Sequence, residues 1–160
     1  MKFSIFIICF FLLINITDCY SQANETPIPK NHIAPAPLFR DPETDGAADP
    51  VLIWNREEKK WWMLYSQRRA NTEAPDVAYC YGNDIGIASA EDNGQTFVYR
   101  GKLDLEFEKG RNTFWAPDIV YQNGEYHMFV VYIKVGRIRW GGEARLAHYL
   151  SKNLWDWKFL

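Results

Sequence analysis

An all-β fold, made of blades of a β-propeller, is predicted by three features of the sequence. Short apolar runs alternate with period 2 between turn residues. No helical apolar period follows the first residues, and a four-strand pattern occurs twice. Alternate side chains of a strand point to opposite faces, so each such run has one face to bury. Two blades cannot close a ring, because a propeller typically takes about four to eight. The final W-D-W-K-F-L stops inside a strand. The chain is therefore expected to hold the first two blades of a longer protein, with dimeric closure of half-propellers a weaker alternative.

Residues 1–22 read as a signal peptide. Lys2 supplies the positive end, and Phe3 to Ile14 is almost continuously apolar. That run is shorter than the roughly 20 residues a membrane span needs. Ile16-Thr17-Asp18-Cys19 loosely resembles a lipoprotein box, but an Asp before the Cys fits it poorly. Secretion, or export to a periplasm, is favoured over a lipid anchor at Cys19. Residues 23–40, with Pro27, Pro29, Pro35 and Pro37, read as an extended arm. Residues 41–160 are the propeller part.

Within it, Asp41–Pro50 reads as a Gly/Pro loop carrying four carboxylates. Val51–Trp54 and Trp61–Ser66 form a hairpin around a charged turn. Residues 67–83 read as a long loop and Ile85–Ala90 as a strand. Asp92-Asn93-Gly94 is a turn, and Thr96–Arg100 is the strand after it. Lys102–Arg111 reads as a polar connection. The pattern then restarts with Ile119–Tyr121, the turn Asn123-Gly124, Tyr126–Ile133, Ala144–Leu150 and Asp156–Phe159. Lining up the copies sets Asp49 against Asp118, Met63 against Met128, Ala88 against Ala147, and Phe97 against Trp157.

Composition narrows the function. With 18 Lys+Arg against 20 Asp+Glu the chain has no basic footprint for nucleic acid. Seven Trp, nine Tyr and ten Phe suit a β core and a carbohydrate surface equally. Of the cysteines only Cys80 lies well inside the mature chain, so no internal disulfide forms and a buried structural thiol is expected. His127 and His148 lack a third ligand at metal spacing and read as core residues.

The stretch Gly110–Ile119, G-R-N-T-F-W-A-P-D-I, concentrates the chemistry. Pro117 biases Ala116 away from helix, which predicts an extended, stiff start to the next strand. Asp118 then stands at the strand mouth beside Trp115. A turn-capping Asp with a core Trp is the plain alternative. Asp92-x-Gly94-x-Thr96-Phe97 is similar to the structural turn of sialidase-like propellers, and reads here as a blade hairpin only.

Taken together, A-D-P at 48–50 with the hairpin after it, W-A-P-D at 115–118 with Y-x-N-G-x-Y-H-M-F-V, and H-Y-x-S-x-x-L-x-x-W resemble family 43 glycoside hydrolases. The resemblance covers about residues 40–160 and implies a five-bladed propeller glycosidase acting on arabinose- or xylose-containing saccharides, inverting and secreted. In that family three carboxylates from different blades converge. By motif, Asp49 resembles the general base and Asp118 the residue that orients the acid and sets its pKa. The general acid is a Glu of a later blade, and no Glu here stands in that context; Glu125 and Glu143 are expected in solvent. Asp49 is preferred over Asp41, and Asp41, Glu43 and Asp45 are expected to be solvated. Trp115 and Trp54 are candidate sugar platforms, and Arg69 with Arg68 a candidate contact to an acidic sugar. No cofactor is required, with a central calcium left open. The partner is a carbohydrate, with neither nucleic acid nor a membrane-spanning segment. A non-catalytic sugar-binding propeller, or an inactive fragment, is the alternative.

Overall fold

The computed structural model describes residues 37–160. The expected signal peptide and residues 23–36 of the arm lie outside the described residues. What is described is all-β: β1 (Asp45–Asn55), β2 (Lys60–Arg69), β3 (Ile85–Ala90), β4 (Val98–Lys102), β5 (Thr113–Gln122), β6 (Glu125–Ile133), β7 (Ala144–Ser151) and β8 (Lys158–Phe159). They form two four-stranded sheets, β1-β2-β3-β4 and β5-β6-β7-β8, each antiparallel throughout. These are two blades of a propeller, each a meander of sequence neighbours. Among the described residues no helix is long and apolar enough to cross a membrane.

Side-chain chemistry sets the turns. Asn123 and Gly124 both have positive φ, 53° and 88°, as a two-residue hairpin turn of the β5–β6 kind requires. The Asp92 carboxylate accepts the N–H groups of Gln95 and Thr96 and closes the β3–β4 turn. In the β1–β2 turn, Asn55 does the same for Glu57 and Glu58.

Two strands begin earlier than the sequence predicts. β1 takes in Asp45–Pro50, and β5 starts at Thr113. Each X-Pro pair forms a bulge instead of ending the ladder. Register shifts between Ala48 and Val51 in β1, and between Trp115 and Asp118 in β5. The residue before each proline has positive φ, 50° at Asp49 and 47° at Ala116. Ala116 is thus left-handed where an extended conformation is expected. Pairing resumes immediately after each proline, so the missing proline N–H falls on the unpaired residues.

The core lies between the sheets. Trp62, Leu64, Ile85 and Ile87 pack with Phe114, Ile119, Tyr126, Met128 and Val130. Leu103 and Leu105, in the supposedly polar connection, are buried in the same cluster at 4% and 3% exposure. The opposite face of the first sheet buries Met63, Tyr65, Ala88 and Phe97. Cys80 is buried and unpaired, in the structural role expected. Asp41 is a correction: it is buried, and accepts from the Tyr65 hydroxyl, the Gln67 amide and the N–H groups of Glu43 and Thr44. Its loop folds around the carboxylate because those donors converge on it.

Candidate active site

β5 packs against β1 and β2, which brings the two proline bulges together. The link is Ser66, a fully buried residue of β2. Its hydroxyl donates to Asp49 Oδ2 at 3.2 Å and accepts the N–H of Ala116 at 2.8 Å. One hydroxyl therefore joins the Asp49 carboxylate to the peptide two residues before Asp118. The Arg68 guanidinium adds Nη2 at 3.3 Å from Asp49 Oδ2. Arg68 Nε is buried without a partner among the described residues. Both side chains of this pair are part-exposed, so its net contribution to stability is small, and its main effect is to aim the carboxylate.

Asp49 and Asp118 are both open to solvent, and they are not equivalent positions. Pro50 matches Pro117 at the two bulges, so Asp49 matches Ala116, and Asp118 matches Val51. The alignment of the two acids in the sequence is thus displaced by two residues. Asp118 sits where pairing has resumed, opposite Phe129, whereas Asp49 is on the bulge itself. The slip recurs in the third strands. Ala88 pairs with Met63 and Tyr149 with Met128, so Ala88 corresponds to Tyr149 and not to Ala147. Met63 and Met128 do correspond, being opposite Leu52 and Ile119.

The aromatic and arginine candidates separate. Trp115 is half-buried, donates its indole N–H to the Cys80 carbonyl, and packs on Tyr81 and Trp140 with centroids 4.9 and 6.2 Å away. Trp54 lies at the hairpin end of β1 against Trp61. Five residues of strand, roughly 17 Å, separate it from Asp49. Arg69 does not point at the acids. Its Nε and Nη2 donate to the carbonyls of Tyr81 and Ala78. Arg68 is the arginine that reaches Asp49.

His127 and His148 stack on the second sheet with ring nitrogens 3.2 Å apart. Burial and the neighbouring His127 hold His148 below its ordinary pKa, which favours the neutral ring. Among the described residues no group of three or more His, Cys, Asp or Glu is placed to hold a metal ion. Ser66 is the site residue that sequence reasoning missed. Its signal was two polar residues, Ser66-Gln67, at the end of an apolar strand run. Both are buried, and both bind carboxylates.

No protein-family model matches the chain, and no curated protein matches it in sequence. Solved structures do match. Zg3597, a family 117 glycoside hydrolase produced by the marine bacterium Zobellia galactanivorans, is similar at 19% identity and a TM-score of 0.53, over 76% of this chain and 40% of that one. The family 43 β-1,3-galactosidase BT3683, solved with galactodeoxynojirimycin, is similar at 17% identity and a TM-score of 0.54, over 80% of this chain and 37% of that one. The fold is the one these two glycoside hydrolases have. The chain spans about two fifths of their length.

Proposed function

We propose that this chain contributes two of the carboxylates of a secreted, inverting glycoside hydrolase, with Asp49 as general base and Asp118 as the residue that orients the general acid. The general acid is assigned to no residue of the chain. Arabinose- and xylose-containing saccharides are the first substrates to try, and β-1,3-galactans join them because BT3683 is a β-1,3-galactosidase. The observation that carries the reading is the Ser66 hydroxyl, which ties the Asp49 carboxylate to the peptide leading into Asp118.

Inversion needs an ionised carboxylate to take a proton from water as that water attacks the anomeric carbon. A protonated acid on the other side of the sugar gives its proton to the leaving oxygen. The two stand about 6.5–9.5 Å apart so that the water fits. A third, ionised carboxylate near the acid raises the acid's pKa by like-charge repulsion and keeps it protonated near neutrality. Asp49, exposed and held by Ser66 and Arg68, has the first role. Asp118, from the other sheet and a different strand position, has the third. The aromatic wall at Trp115 supplies a flank for the sugar.

The test is turnover of aryl arabinofuranoside, xyloside and galactoside by the intact protein and its Asp49→Asn variant. Loss of about 10²–10⁴-fold in kcat is expected, the usual share of a general base. Equal turnover in both removes Asp49 from the mechanism. Sugar binding with no turnover in either favours the non-catalytic alternative.

A further inference from the structure

A cavity of about 510 Å³ opens beside Trp115, lined by Arg69, Arg111, Arg137, Arg139, Tyr81 and Trp140 among others, with no carboxylate on its wall. Among the described residues none of these four guanidinium groups is in an ion pair. Four guanidinium groups of one sign thus face one cavity, Arg69 half-buried and the other three exposed. Burial, and then the Arg111 charge beside it, pull the Arg69 guanidinium below its ordinary value.

The cavity is also built, not merely a gap under a loop. The Ile138 carbonyl accepts the Val77 N–H at 3.2 Å, and the Tyr81 hydroxyl bonds both the carbonyl and the N–H of Gly141. These bonds tie the 136–141 rim to the 3-10 turn Ala78–Cys80. Arg69 is fixed by the Ala78 and Tyr81 carbonyls. Arg111 lies over Gly82, which has φ +65°; a Cβ there would stand 2.7 Å from Arg111 Nε. Glycine takes that backbone conformation without strain and lets Arg111 lie close against it. Trp140, 62% exposed, offers a ring on the open side.

We propose that this cavity binds an anionic group of a saccharide, a uronate carboxylate or a sulfate ester, next to the two proline bulges. Guanidinium groups take such oxygens by paired, charge-assisted hydrogen bonds, and the indole takes the apolar face of the ring. Trp115 joins the cavity to the acids, because it packs on Tyr81 and Trp140 and lies three residues before Asp118. The saccharide part of this inference rests on the glycosidase reading, whereas the charge part does not.

Calorimetry with the intact protein carrying Asp49→Asn, which leaves the probes uncut, tests it. The probes are an oligogalacturonate, a sulfated galactan oligosaccharide and a neutral galactan oligosaccharide of equal length. At least one anionic probe binds about tenfold or more tighter than the neutral one, as one charged hydrogen-bond pair implies. Its advantage falls as salt is raised, and the Arg137→Gln/Arg139→Gln double variant removes it. Which anionic probe binds tighter tells carboxylate from sulfate. Equal binding of neutral and anionic probes, or a preference that survives both added salt and the double variant, overturns the proposal. Turnover of neutral glycosides by the unsubstituted protein, with no charge preference in the variant, sinks this inference alone. An anion preference in the variant, with no turnover by the unsubstituted protein, sinks only the catalytic reading.

Discussion

Asp41 is held by four donors, and the balance of those bonds against burial sets its chemistry. Burial alone would raise its pKa. The Tyr65 hydroxyl, the Thr44 N–H, the Gln67 amide and the Glu43 N–H outweigh that and hold the carboxyl below its usual value. Because the folded value is depressed, the stability it contributes is fully present above the unfolded carboxylate value of about 3.9. That contribution is lost as pH falls through the lower folded one. Asp41→Asn keeps the shape but turns an acceptor into a donor facing donors. It should cost about 1–3 kcal/mol at pH 7, measured by urea unfolding, with the gap to the wild type narrowing near pH 3. An equal gap at both pH values would mean that folding does not lower the carboxyl's pKa.

At the scale of the strand, the bulges decide where each acid stands. Asp tolerates the left-handed region through its short polar side chain, whereas alanine there is strained by about 1–2 kcal/mol. Ala116 is exposed, so substitutions report backbone strain with little change in packing. Ala116→Val, β-branched at φ 47°, should lower stability by about 1–2 kcal/mol, while Ala116→Gly stays within about 1 kcal/mol of the wild type, as read from thermal unfolding. Equal losses in both would place the cost elsewhere than in φ. The same bulges explain what was legible in the sequence. Period-2 runs and Asn-Gly or Asp-x-Gly turns place β3, β6 and β7 to within a residue, because those signals are local. A bulge adds a residue without leaving a local mark, so Pro50 reads as the end of a loop and the two acids align falsely. The enclosure of Asp41 was hidden for another reason: its donors Tyr65 and Gln67 come from the strand after the next turn.

Across the molecule, the two sheets share one apolar core. The connection between them is part of it, since Leu103 and Leu105 enter the cluster that holds Trp62 from one sheet and Met128 from the other. The Leu103 N–H bonds the Ile85 carbonyl, and the Leu105 carbonyl accepts the Tyr149 hydroxyl at 2.7 Å, so one short segment is stitched to both sheets. Trp62 and Trp155 meet edge to face across this core, with centroids 4.8 Å apart. Parting the sheets therefore changes the surroundings of both indoles, two of the seven that contribute to the fluorescence. Leu105→Ala removes buried methyl groups where neither sheet can collapse into the space without moving the other. It should cost about 2–5 kcal/mol. If the sheets unfold as one unit, the urea midpoint falls, the slope is unchanged, and tryptophan fluorescence and far-ultraviolet dichroism give one coincident transition. A fluorescence change that precedes the loss of strand signal would mean that the sheets part before they unfold. The shared site at Ser66 would then exist only while they stay docked.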